Sequence, residues 1–135
     1  MSAYHTQKTQ YKDRDCLVKA LNDQGYTTVE VHEVATNLYG YHGDMRSQKA
    51  NVIVRRQYVG CAANDLGFVK AEDGTYSAIV SQFDSGKHDA GWFKGLKKSY
   101  TEARDMKTAA AQGFKFLGKK IVGGKVQLQF ADTRS

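Results

Sequence analysis

Apolar residues along this chain recur with two different periods, and the switches between them mark out the elements. Ala3 to Gln10 carries a tyrosine and threonines that suit extended backbone, so a short first strand is expected there. From Arg14 to Gln24 the spacing becomes three and four, and Leu17, Ala20 and Leu21 form one stripe of a helix. Asp13 stands where an N-cap is needed, and Asp15 lies in the first turn, where the helix dipole favours a carboxylate. Gly25 then reads as a left-handed stop, with Tyr26 folding back on Leu21. Thr27 to Val34 returns to a strand with Val29 and Val31 on one face.

Residues Ala35 to Lys49 show no clear period and include Asn37, Gly40, Gly43 and Asp44, which predicts a long irregular loop of the kind that carries function. The β-branched run from Ala50 to Tyr58 is a further strand, and alternation along it sends one guanidinium of Arg55-Arg56 to each side of a sheet. Asp65 to Lys70 and Thr75 to Phe83 read as a hairpin across Glu72-Asp73-Gly74. A second helix is expected over Ala90 to Gln112. There Trp92, Phe93, Leu96, Tyr100, Ala103, Met106 and Ala110 fall within an arc of about 140°. Gly113-Phe114 repeats the glycine–aromatic stop, and Lys115 to Ile121 pairs with Lys125 to Ala131 across Val122-Gly123-Gly124.

Alternating strands joined by short turns pair antiparallel. The expected fold is therefore α+β: a single domain over residues 1–135, one twisted antiparallel sheet of six or seven strands, and two helices packed on one face. Both halves run strand, helix, glycine–aromatic stop, strands, which raises the hypothesis of a duplicated strand–helix–strand unit.

Composition narrows the class. With 41% hydrophobic residues in 135, the chain can bury a core and is not a disordered segment. No apolar run approaches a membrane span, and Met1 to Gln10 lacks the apolar core of a signal peptide, so a cytoplasmic protein is expected. There is no proline, and glycines take over the turning of the chain. Cys16 and Cys61, without a paired-cysteine motif, suggest neither a disulfide framework nor a zinc site, and a reducing compartment is expected. Charge is uneven: residues 86–125 hold ten lysines and arginines against three carboxylates, while residues 1–85 hold nine against ten. Such a basic region attracts nucleic acid or an acidic partner, or simply keeps the domain soluble.

The chain has no phosphate-binding loop, dinucleotide fingerprint, zinc-protease motif or nucleophile elbow. His5, His32, His42 and His88 lack ligand spacing, so no metal or cofactor is expected and no catalytic residue is assigned. Two groups of candidates remain. Tyr39, Tyr41, His42, Asp44 and Arg46, set among Gly40 and Gly43, offer stacking and hydrogen bonding, and the turn Asn64-Asp65 joins them as one candidate site. An ordered loop whose Asp44 and Arg46 pair with each other is the plainer reading. Lys94, Lys97, Lys98 and Arg104 form a basic face on the second helix, opposite its aromatics, suited to phosphates or an acidic protein.

Several segments together resemble the hypothetical chloroplast reading frame 35 family, a domain of unknown function in cyanobacteria and red-algal plastids. They are Lys8-Thr9-Gln10, the Tyr39-Gly40-Tyr41-His42-Gly43-Asp44-Met45-Arg46 loop, Ile53-Val54-Arg55-Arg56, Asn64-Asp65-Leu66-Gly67-Phe68, Ser81-Gln82-Phe83-Asp84 and Trp92…Leu96…Tyr100. The resemblance covers about residues 2–131; where the family usually opens Ser-His-Phe-Ser, this chain has Ser2-Ala3-Tyr4-His5. It implies a photosynthetic organism or its phage, a location in cytosol or plastid stroma (or the infected host cell), and an ATPase of the AAA type as partner. It carries no established activity. The leading expectation is a non-catalytic binding or adaptor domain acting through a protein. The alternatives are a nucleic-acid-binding accessory domain using the helix over 90–112, and an enzyme with its site at the 38–46 loop.

Overall fold

In the computed structural model, which describes residues 3–132, the first helix begins where its cap predicts. The Asp13 side chain accepts from the Cys16 N–H at 3.0 Å and opens α1 (Arg14–Asp23). Gly25 adopts φ +99°, and the Tyr26 N–H closes the helix on the Leu21 carbonyl at 3.0 Å. Asp89 caps the long helix, accepting from the Trp92 N–H at 2.9 Å. This helix runs over Ala90–Ala111, ends at Gly113, and is α3 in chain order.

Among the described residues seven strands form, divided between two sheets. β1 (Tyr4–Lys8), β2 (Glu30–Tyr39), β3 (Met45–Val54), β4 (Leu66–Lys70) and β5 (Tyr76–Ser81) build one antiparallel sheet in the order β1-β5-β4-β3-β2. β6 (Phe114–Val122) and β7 (Lys125–Asp132) pair only with each other, beside the second half of α3. The single sheet expected from the sequence is thus five strands plus a separate hairpin. The echo between the halves also ends at the helices. The hairpin after α1 joins the main sheet through β4, whereas the hairpin after α3 stands apart.

The expected irregular loop over 35–49 is mostly strand. β2 continues to Tyr39, β3 starts at Met45, and only residues 40–44 turn between them. Alternation is lost because the register slips twice, between Val31 and Thr36 and again between Asn37 and Tyr39. Asn51 ties the first slip, its side-chain N–H groups donating to the His32 and Glu33 carbonyls at 3.2 Å each. A second departure follows Val54. Arg56 does not extend β3 but starts a short helix, α2 (Arg56–Val59), so the two arginines are not strand neighbours on opposite faces. β1 likewise stops at Lys8, before Thr9 and Gln10. Beyond β5, a 3₁₀ turn over Gln82–Asp84 replaces the end of the expected strand, with Ser81 Oγ accepting from the Phe83 N–H at 3.2 Å.

Both helices lie on one face of the sheet, as expected. Leu17, Ala20 and Leu21 of α1 and Phe93, Leu96 and Tyr100 of α3 pack there on Val52, Val54, Phe68, Ala78 and Val80. Past Ala103 the apolar stripe of α3 leaves this core, and Ala110 is exposed. Val31 is 41% exposed on β2, which is an edge strand. Tyr100 also locks the entry to α1: its hydroxyl accepts from the Lys12 and Asp13 N–H groups, both at 3.0 Å. Among the described residues no helix is long and apolar enough to cross a membrane.

The other face holds a smaller cluster of Leu38, Ala50, Ile53 and Ile79, partly covered by Tyr4 and Val69. The slips in β2 bend its end over this face and bring Leu38 down onto Gly67. A Cβ on Gly67 would lie 2.6 Å from Ala50 Cβ and 3.0 Å from Leu38 Cδ2. Gly67→Ala is therefore expected to destabilise the fold by about 1–3 kcal/mol, as overpacking does. Urea unfolding checks it: an unchanged midpoint would mean that Leu38 does not seat against β4.

Candidate functional site

The chain around residues 38–46 is fastened from beneath by two buried residues, Asn64 and Asp65. Asp65 is 1% exposed, and its carboxylate accepts from three directions. Oδ2 takes the Tyr39 N–H at 2.8 Å and Arg55 Nη1 at 2.8 Å, while Oδ1 takes the Arg56 N–H at 2.6 Å. Main-chain bonds repeat the tie, because the Asp65 N–H donates to the Tyr39 carbonyl at 3.0 Å. Tyr4 of β1 adds its hydroxyl, donating to the Asp65 carbonyl at 3.2 Å. Burial, with the negative charge of Asp65 close by, holds that phenol above its usual range.

Arg55 connects Asp65 to the sheet edge. Its Nε and Nη2 engage both oxygens of Glu30 at 2.7 and 2.9 Å, a two-point contact that matches guanidinium to carboxylate. Nη1 also reaches the Asn37 carbonyl at 3.2 Å, and the guanidinium lies 5.5 Å from the centre of the Tyr39 ring. Hydrogen bonds from Arg55, joined by His32 at 2.8 Å, lower the Glu30 pKa despite its partial burial. Those same carboxylates raise the pKa of Arg55 and keep it charged.

Asn64 does the matching work for the next turn. Its Oδ1 accepts from the Tyr41 N–H at 2.9 Å, and its Nδ2 donates to Ser81 Oγ at 2.9 Å. The Asn64 N–H donates to Asp84 Oδ2 at 2.9 Å, and the Asp84 carbonyl accepts from the Lys87 and His88 N–H groups. Asp84 Oδ1 and His88 Nδ1 are buried with no hydrogen-bond partner among the described residues. His88 Nε2 lies 2.7 Å from the Tyr26 hydroxyl, and its ring sits edge-on to Trp92 at 4.6 Å.

Above this scaffold, rings face solvent. Tyr41 is 45% and Phe83 61% exposed, with planes 10° apart and centroids 6.5 Å apart. The exposed His42 ring leans on Tyr41 at a 43° tilt, with centroids 4.0 Å apart. Asp44 pairs with Arg46 at 3.7 Å, and the Arg46 guanidinium lies 5.1 Å from the Tyr4 ring.

The structure therefore brings Tyr39, Tyr41, Asn64 and Asp65 together, but Asn64 and Asp65 meet the backbone amides of the tyrosines rather than a solvent cleft. The basic face does not stay whole. Lys94, Lys97 and Lys98 are exposed, whereas Arg104 lies 3.5 Å from Asp13, which also takes Lys107 at 2.5 Å. Bonds from Lys107 and the Cys16 N–H outweigh desolvation and pull Asp13 down to about 2. Sequence reasoning passed over Asp84, His88 and Phe83. The signal for Phe83 and Asp84 was Ser81-Gln82-Phe83-Asp84, in which a serine caps a turn with an acid three residues on; His88 had none. Among the described residues no three His, Cys, Asp or Glu side chains converge as metal ligands, and Cys16 and Cys61 are both free.

These features define a small α+β domain in which buried polar side chains clamp backbone turns and display aromatic rings at one rim. Residues 20–128 match the family model described as protein of unknown function (DUF1257), and the chain belongs to that family. No curated protein and no solved structure matches it.

Two outcomes test the scaffold. Asp65→Asn is expected to cost about 3 kcal/mol, because it leaves Arg55 partly buried without its inner partner. Glu30→Gln, at the more exposed end, should cost under about 1 kcal/mol. Equal losses in urea unfolding would contradict this ordering. Burial holds His88 at about 4, below its usual 6.5, with Lys87 adding to the effect and Asp84 opposing it. The unfolded chain then binds the extra proton between these values, so stability is full above pH 6.5 and falls as pH drops toward 4, by up to about 3 kcal/mol. His88→Gln should flatten that slope in unfolding curves taken across the interval.

Proposed function

We propose that this chain is a small non-catalytic binding or adaptor domain that acts through a protein partner. The observation that carries the reading is the exposed Tyr41–Phe83 pair, held by a fully hydrogen-bonded Asn64 beneath it. Rigid aromatic side chains lose little entropy on docking and are the residues on which interface energy concentrates. The non-catalytic part is supported by Asn64 and Asp65, whose side-chain polar atoms are engaged with main-chain amides and with Arg55, Ser81 and Asp84.

The resemblance to the chloroplast reading frame 35 family supports a finer version. The domain would work in the cytosol of a cyanobacterium, in a plastid stroma, or in a cell infected by a phage of such a host, with an AAA-type ATPase as its partner. A nucleic-acid-binding accessory role is the second reading, favoured by Lys94, Lys97 and Lys98, which stand exposed on α3 with no ion pair among the described residues.

Affinity capture from extract of a photosynthetic host tests the leading reading. The wild-type protein should retain a specific protein, and Tyr41→Ala/Phe83→Ala should lose it with little change in Tm, since both rings are exposed. Loss of a hot-spot pair worth about 2 kcal/mol corresponds to a roughly thirtyfold weaker Kd. Identical retention by both proteins would remove the aromatic rim from the proposal.

A further inference from the structure

We infer that the groove between the free edge of β1 and the first half of α3 receives an extended acidic polypeptide segment, added as a strand beside β1. This rests on the protein-binding reading but uses a groove that neither Tyr41 nor Phe83 lines.

β1 is an outermost strand, paired only with β5. The Ala3 carbonyl accepts from the Gln82 N–H at 2.8 Å, and the register then runs unbroken to Lys8 opposite Ser77. Antiparallel geometry alternates from that pair, so His5 and Gln7 turn their main-chain groups toward β5. Thr6 and Lys8 turn theirs outward, and both residues are exposed. Sheet edges are usually blunted by proline, a bulge or a covering element. β1 has no proline and no register shift, and only its short length and Lys8 oppose pairing.

Beside this edge lies a groove of about 370 Å³. Tyr11 and Phe93 give it an apolar floor, Gln7 to Gln10 one wall, and Lys94 and Lys97 the other. Among the described residues no carboxylate lines it. Lys8, Lys94 and Lys97 make no ion pair among the described residues, whereas Arg104 and Lys107, farther along α3, are held by Asp13. A free row of peptide groups beside unpaired lysines fits one occupant: an extended segment whose main chain completes the edge and whose carboxylates face α3. The five residues of β1 set its paired length, about 17 Å at the strand rise. A nucleic acid would meet the lysines but has no peptide groups to pair with Thr6 and Lys8.

The test is an anisotropy titration of the full chain with a fluorescein-labelled peptide of alternating glutamate and threonine, at low and at physiological ionic strength. A labelled thymidine single strand runs alongside. The peptide should saturate, more weakly as salt rises. Lys94→Glu/Lys97→Glu should weaken it about tenfold, and Tyr41→Ala/Phe83→Ala should bind it undiminished. Amide exchange in the complex should slow at Thr6 and Lys8. Absence of saturable peptide binding at low salt overturns the inference. So does binding that leaves the Thr6 and Lys8 amides unprotected, or retention of the single strand alone with sensitivity to the lysine changes. Because the two surfaces carry different variants, failure here is distinguishable from failure at the aromatic rim.

Discussion

The Asp65 carboxylate is the contact on which the rest of this structure depends. It stands at the entrance to β4 and takes one amide from the end of β2, one from the start of α2, and a guanidinium from the end of β3. Withdrawing charge from water costs several kcal/mol per ion, and attraction repays it only when the lone pairs are filled and the geometry is close. Here both oxygens are filled, and Arg55 is filled in turn by Glu30 and the Asn37 carbonyl. The end of β2 at Tyr39, the start of α2 and Arg55 after β3 are thereby held to one buried group.

This use of polar side chains shapes what the surface can do. Asn64 and Asp65, with Ser81 and Asp84, are turned inward and fasten loops, so chemistry that looks available in the sequence is occupied. What remains outside is of two kinds. At one rim are rings, Tyr41, Phe83 and His42, held over a rigid base. Along β1 and α3 are an open strand edge and unpaired lysines. Both lie at the surface of the fold as it stands, which fits the binding role proposed above.

Local signals were legible where the cause is local. Asp13, Gly25 and Gly113 bound their helices because a cap needs only a carboxylate three residues before an amide, or a backbone free to take positive φ. The candidate residues Tyr39, Tyr41, Asn64 and Asp65 were likewise found as residues, and they do meet. Their relation was not legible, since hydrogen bonds between side chain and main chain across 23 and 26 positions leave no spacing in the sequence. The sequence pattern ends β2 short of Tyr39 and starts β3 late for a similar reason: a slip in register scrambles alternation, and only the partner strand reveals it.

The sequence by itself determined an α+β domain of antiparallel strands, the cap of the first helix and the glycine stops of both long helices, the helix faces that enter the core, and the concentration of positive charge between residues 86 and 125. Those properties follow from composition and from periods of two and 3.6, which each residue carries wherever it lies. Tertiary structure alone decided that seven described strands divide into a sheet of five and a separate hairpin, that Arg104 and Lys107 turn to Asp13 while Lys94, Lys97 and Lys98 make no ion pair among the described residues, and that Asp65 clamps three segments. Each of these depends on which distant partner arrives, and contact between distant residues is settled by packing rather than by order along the chain.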